Sequence, residues 1–223
     1  MLDRSIFILG IIGAWIVSGT GYIVLKRRMG DRLPNGSIVT EIQDDTEDQN
    51  PPGTRWSRVG VSFAMTTNML ILIFAVFLNI IDLWDQVAPF IAIEFPTVVN
   101  WIGLFGIWFY YLWGTATMLY NVNYIPLWQS MGRKYVLATG GPYRIIRHPM
   151  YVAKTFWLAF LVFLTTGTWL TIIGAVGWIA LPHQVKAEEK LLQKRFGNNY
   201  TAYAAKTGRF FPKILKNGRK TSY

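Results

Sequence analysis

The chain contains no cysteine, which excludes disulfides, thiolate metal sites and a cysteine nucleophile. Acid is also scarce, with 12 Asp and Glu against 22 Lys and Arg and a net charge of +10. After Glu94 the only acids are Glu188 and Glu189. The 2 histidines, His148 and His183, lack paired carboxylates at zinc spacing, so no metal ligand set is assigned and a metal hydrolase is disfavoured. No Walker loop and no Gly-x-Gly-x-x-Gly between strand and helix patterns occurs. No histidine sits near a Gly-x-Ser-x-Gly elbow, which removes a serine triad.

What the chain has in abundance is apolar surface. Of its 223 residues, 52% are hydrophobic and 16% aromatic, and the mean hydropathy is +0.28. A soluble domain of this size is more polar. A bilayer core about 30 Å thick needs about 20 helical residues. Residues 6–25, 59–81 and 98–120 meet that length. Residues 6–25 end in Lys26-Arg27-Arg28, the wrong order for a cleaved leader, and read as a retained helix. Residues 87–95 are short, contain Pro89, and read as interfacial. Residues 149–181 are broken at Thr165-Thr166-Gly167-Thr168. They read as a tight helical hairpin whose second arm passes a kink at Pro182 into a cytosolic helix.

The expected fold is therefore an all-α integral membrane protein of about five transmembrane helices. The last two form the short hairpin, followed by a cytosolic C-terminal helical segment. Residues 1–125 hold the first helices and a polar loop, and residues 126–223 the region that carries chemistry. Five crossings place 20 of the 22 basic residues on one side, leaving Arg4 opposite and Lys154 within a helix. By the positive-inside rule the N-terminus is outside and the C-terminus cytosolic. Bases set in loops beside apolar helices argue for membrane topology and against a nucleic-acid partner. The acidic run Asp44-Asp45-Thr46-Glu47-Asp48 lacks calcium-loop spacing and reads as a solvated loop. The many tryptophans, Trp101, Trp108, Trp113 and Trp128 among them, read as belt and packing residues.

Two polar elements flank the hairpin. The first, Gly140-Gly141-Pro142-Tyr143-Arg144-Ile145-Ile146-Arg147-His148-Pro149-Met150-Tyr151, opens with a turn that lets backbone approach a ligand. Arg144 and Arg147 are one helical turn apart and suit a carboxylate or phosphate, though snorkelling to head groups is the plainer role. Tyr151 follows His148 by three and shares its face. The second element contains Glu188 and Glu189, which suit an ammonium or a ribose hydroxyl. Their spacing to Lys190 and Lys194 makes poor helical ion pairs. Polar groups gathered at one membrane face from both ends of a hairpin suggest a site.

These elements, with Phe196-Gly197, Tyr200, Tyr203 and Arg209-x-x-Pro212, resemble the isoprenylcysteine carboxyl methyltransferase family, a relative of the phospholipid N-methyltransferases. The likeness covers roughly residues 130–213. It implies an S-adenosylmethionine site at the cytosolic face, with Gly141, Tyr143, Arg144, His148, Tyr151, Glu188 and Glu189 toward the cofactor. Arg147, His148 and Tyr151 are then expected at the reacting groups and Arg209 toward the acceptor, with Lys154, at a position where the chain departs from the family, as a further acceptor-binding candidate. Ala153 stands where the family usually has glycine, and Lys154 beside it either snorkels or attracts an anionic acceptor. The acceptor implied is a lipophilic or prenylated molecule reached from membrane lipid, first a carboxylate and otherwise a phospholipid amine. Two other readings stay open: an NADPH-dependent sterol-type reductase, which shares the Arg-His-Pro element, and a non-catalytic lipid-binding protein.

Overall fold

A computed structural model describes residues 2–30, 32–41, 52–121 and 134–213. The expected division near residue 125 and the acidic run 44–48 lie outside the described residues. Helix α1 spans Arg4–Met29; Asp3 caps it by accepting from the backbone N–H of Ser5 at 2.9 Å and Ile6 at 3.3 Å. Helix α2 spans Arg55–Ile80 and starts earlier than its apolar run, because Thr54 caps it through the Ser57 N–H. Helix α3, Trp84–Ile91, is short and holds Pro89. Helix α4 covers Thr97–Tyr120, with Pro96 just before it. Helix α5 covers Pro149–Thr166 and winds as a π-helix over Val152–Trp157.

By length and composition α1, α2, α4 and α5 can each cross a membrane, so the described residues hold four candidate spans, the pattern of a multi-pass membrane protein. Its outer surface agrees: Leu9, Phe105 and Ile172 are 69%, 65% and 65% exposed, which suits lipid better than water. The core between helices holds Phe7 and Ile11 of α1, Leu72 of α2, Leu104 and Ile107 of α4, and Leu158 and Val162 of α5. Gly103 lets α4 approach α5 closely, since a Cβ there would lie 2.8 Å from Thr165 Cα.

The chain turns at Gly167, in the left-handed region at φ 74°, beside Ile91 and Ala92. It then descends along α2 through α6 (Thr171–Ala175), a 3₁₀ segment (Val176–Ala180) and α7 (Leu181–Phe196). Pro182 does not break a helix interior. It sits in the first turn of α7, and the loss of its N–H is absorbed by the 3₁₀ segment before it. Helix α8, Asn198–Lys206, folds back after Gly197.

One element departs from the all-α expectation. Strand β1, Ser37–Glu41, pairs antiparallel with β2, Lys134–Ala138, from Ser37 opposite Ala138 to Glu41 opposite Lys134. Both segments read as loops in sequence. Each is short, and each satisfies its backbone groups only against a partner nearly a hundred residues away. Leu137 of this ribbon packs on Phe196, Tyr200 and Tyr203, so the ribbon closes one side of the space below α7 and α8.

Candidate functional site

The turn before α5 is built first. Gly141 adopts φ 53°, and a Cβ there would strike the Tyr120 ring, so this glycine serves close packing on α4. Tyr143 is buried; its hydroxyl accepts from Asn121 at 3.0 Å and its carbonyl accepts from the Tyr203 hydroxyl at 2.7 Å. Beyond the turn, Ile146 pairs in parallel with Gly208. The Arg147 N–H donates to Gly208 O at 2.8 Å and the His148 N–H to Arg209 O at 3.2 Å. A strap from the end of the described chain thus lies edge to edge with the start of α5.

Arg147 joins the two. Its Nε donates to Glu189 Oε1 at 2.9 Å, and its Nη1 donates to the carbonyls of Ala204, at 3.2 Å, and Thr207. Arg209 donates to the other oxygen of Glu189 through Nε at 3.1 Å and through Nη2. His148, only 7% exposed, places Nε2 3.3 Å from Glu189 Oε1 and Nδ1 3.9 Å from Glu188 Oε2. Burial acts to raise the Glu189 pKa. Hydrogen bonds from His148, Arg209 and Arg147 outweigh it and hold the carboxyl well below the usual carboxylate range. Burial pushes the Tyr200 and Tyr203 phenols above their ordinary value.

Glu188 has different company. Its Oε1 accepts from the Tyr151 hydroxyl and, at 3.0 Å, from Gln184 Nε2. Gln184 is nearly buried and ties α7 to the start of α2, donating to Pro52 O and accepting from Ser57 Oγ, both at 3.0 Å. The adjacent glutamates therefore diverge, Glu189 toward the strap and Glu188 toward a cavity.

That cavity has a volume of about 430 Å³. Its polar end holds Glu188, Tyr151, His148, Gln184 and Arg58. Its wall also holds Tyr143, Tyr200 and Tyr203 beside Leu137, with Arg147 close to the last two tyrosines, and an apolar contribution comes from Val61 and Met65 of α2 with Met150 of α5. Among the sequence-derived residues, Tyr143, Arg147, His148, Tyr151 and Glu188 line it. Glu189 and Arg209 stand behind the wall, bonded to each other. Arg144 is exposed, and Arg144, Lys154 and Gly141 are not part of the cavity wall. His183 stacks edge-on against Trp56, their ring centroids 4.9 Å apart.

Sequence reasoning missed Arg58, Ser62, Asn121, Gln184 and Leu192, all in the wall. Gln184 carried a usable signal, because it precedes Glu188 by one helical turn on a shared face. Arg58 carried none, since it reads as one more base beside an apolar helix.

The chain is similar to the cobalt-zinc-cadmium resistance protein CzcN of Cupriavidus metallidurans, at 32% identity over 101 residues, 43% of this chain and 46% of that protein. It is similar to the nickel-cobalt-cadmium resistance protein NccN of Alcaligenes xylosoxydans xylosoxydans, at 33% over 102 residues, 44% of this chain and 47% of that protein. The chain thus spans about half the length of these curated relatives. The phospholipid methyltransferase family model matches residues 97–199, from α4 through α7, and this stretch, which carries Arg147, His148, Tyr151, Glu188 and Glu189, is similar to a family of membrane methyltransferases.

Proposed function

We propose that this protein transfers a methyl group from S-adenosylmethionine to a lipophilic acceptor at the cytosolic face of a membrane. The observation that carries the reading is the cavity between α2, β2, the turn before α5 and α7, most of it built by the stretch that resembles methyltransferases. Its volume of about 430 Å³ falls within the range of small-molecule sites. The carboxylate, the amide and the three tyrosines of its wall suit a molecule with a charged group and a flat heterocycle.

When bound, S-adenosylmethionine supplies a methyl group carried on a sulfonium. Glu188, held by Tyr151 and Gln184, presents a fixed acceptor for a cationic or hydroxyl group. Tyr143, Tyr200, Tyr203 and Leu137 offer flat surface for an aromatic base. His148 is set by Glu189 and faces the same space. Val61, Met65 and Met150 give an apolar approach for a lipid-borne acceptor. The protein then contributes alignment and exclusion of water. The first-choice acceptor is a carboxylate on an isoprenylcysteine-like molecule. The description of the matched family supports a second, the amine of a phospholipid, which must lose a proton before it attacks.

The test is methyl transfer from labelled cofactor in proteoliposomes, offered total lipid extract and a prenylcysteine analogue, with mass identification of the product. We expect label in the lipid phase, base-labile if an ester and base-stable if an N-methyl group. An absence of lipid label, with calorimetric binding of NADPH and not of S-adenosylhomocysteine, would move the protein to the reductase reading. Binding of neither ligand would leave a lipid-binding protein.

The topology belongs to the same proposal. The run from Thr171 into α7 would be a fifth crossing, paired with α5 as a short hairpin, with the N-terminus outside. Arg4 pairs with Asp82 at the end opposite the cavity, in keeping with that orientation. The absence of native cysteine makes the test direct. Single cysteines at positions 5 and 222 are expected to react with an impermeant reagent from opposite sides, and same-side labelling would mean an even number of crossings.

A further inference from the structure

Among the described residues two guanidinium groups line the cavity, and one of them belongs to the stretch that resembles methyltransferases. Arg147 is committed to Glu189 and to the carbonyls of Ala204 and Thr207, where it holds the strap in place. Arg58 lies one turn into α2, outside residues 97–199. Its Nη1 donates to Gly53 O, which fixes where the guanidinium sits. Gly53 adjoins Gln184, since a Cβ on it would strike the Gln184 carboxamide. Gln184 in turn donates at 3.0 Å to both Pro52 O and Glu188 Oε1. One amide side chain therefore ties the segment that holds Arg58 to the carboxylate of Glu188, and both charged groups face the same cavity. The cavity end around Gln184 thus carries one cation and one anion.

We propose that Arg58 and Glu188 form a clamp for a zwitterionic α-amino-acid group, with Arg58 taking the α-carboxylate and Glu188 the α-ammonium. The proposal rests on the methyltransferase reading, in which the donor carries such a group. A carboxylate drawn out of water needs a cation and hydrogen-bond donors at its destination. A guanidinium offers both in a planar fork that matches carboxylate geometry. The clamp would fix the donor at its amino-acid end and leave the tyrosines of the wall for its base. It gives α2, which lies outside the matched stretch, a direct part in donor binding.

Calorimetry with two ligands tests this, using full-length protein in nanodiscs. S-adenosylhomocysteine carries the amino-acid group, and methylthioadenosine shares the nucleoside but lacks that group. Arg58→Ala, Arg58→Gln and Glu188→Gln should each weaken S-adenosylhomocysteine by about tenfold or more, about 1.4 kcal/mol. They should leave methylthioadenosine within about twofold of wild type, which also reports that the site is folded. Arg58→Lys should recover part of the loss. Equal losses for both ligands would make Arg58 a packing residue and overturn the clamp. Unchanged S-adenosylhomocysteine affinity in Arg58→Ala and Arg58→Gln would overturn it, and a raised KM for acceptor beside it would make Arg58 an acceptor-binding arginine. Failure of the wild-type protein to bind S-adenosylhomocysteine would overturn the methyltransferase reading, and the clamp with it.

Discussion

Replacing Arg147 with alanine is expected to remove both turnover and cofactor affinity and to lower the melting temperature. The side chains of Arg147 and Glu189 are only 13% and 12% exposed. Glu189 keeps Arg209 and His148 when Arg147 is removed, so the cost is that of losing one charged hydrogen-bond donor to it, about 1.5–3 kcal/mol. The loss also frees the carbonyls of Ala204 and Thr207, leaving the backbone pairs to Gly208 and Arg209 to hold the strap at residues 207–209 against the start of α5. The His148 ring and the Tyr143–Tyr203 pair in the cavity wall are set by those same elements. Arg147→Lys keeps the charge but not the fork, and should fall between wild type and alanine. Lys190→Ala, on the exposed face of α7, is the matched control. Thermal melts and S-adenosylhomocysteine calorimetry read both effects. An Arg147→Ala protein with wild-type melting and affinity would remove this arginine from the centre of the site.

Glu189→Gln should change how stability responds to acid. The folded-state pKa of Glu189 lies below its ordinary value, so its charged form stabilises the native state. That contribution is complete above the unfolded value, about 4.3. It is lost as pH falls from there toward the lower folded value. Wild-type protein should therefore lose melting temperature below about pH 4. The glutamine variant should melt lower at neutral pH, because Arg147 and Arg209 lose their shared anion, and should decline less steeply on acidification. Two parallel curves from neutral pH to pH 3 would show that this carboxylate does not carry the acid dependence.

The helices were legible because lipid imposes a length and a composition that few other environments demand. Residues 98–120 read from sequence correspond to Thr97–Tyr120 in the fold, and 59–81 to Arg55–Ile80. The four extra residues of α2 come from a threonine cap, a local signal that hydropathy does not weigh. The β1–β2 ribbon was hidden because neither five-residue segment stands without the other. The site was legible in its residue types and less so in their division of labour. Adjacent residues on a helix point about 100° apart. One step therefore turns Glu188 to the cavity and Glu189 to a pair of arginines, although both looked equally suited to a ligand. Arg58 and Gln184, on α2 and α7, meet across more than a hundred residues, and no short motif encodes that distance.

The parallel pairing of Ile146 with Gly208 bears on the order of biosynthesis. Synthesis is vectorial, and domains assemble from the N-terminal side as the chain emerges. The four candidate spans among the described residues lie before residue 167, whereas the strap that pairs with Arg147 and His148 lies at residues 207–209. Insertion into the bilayer can therefore precede assembly of the cavity. A nascent chain halted before Thr207 would hold its helices in lipid while its polar cluster still lacked a partner. Competence to bind a ligand is then acquired as a late, separate event in the maturation of the protein.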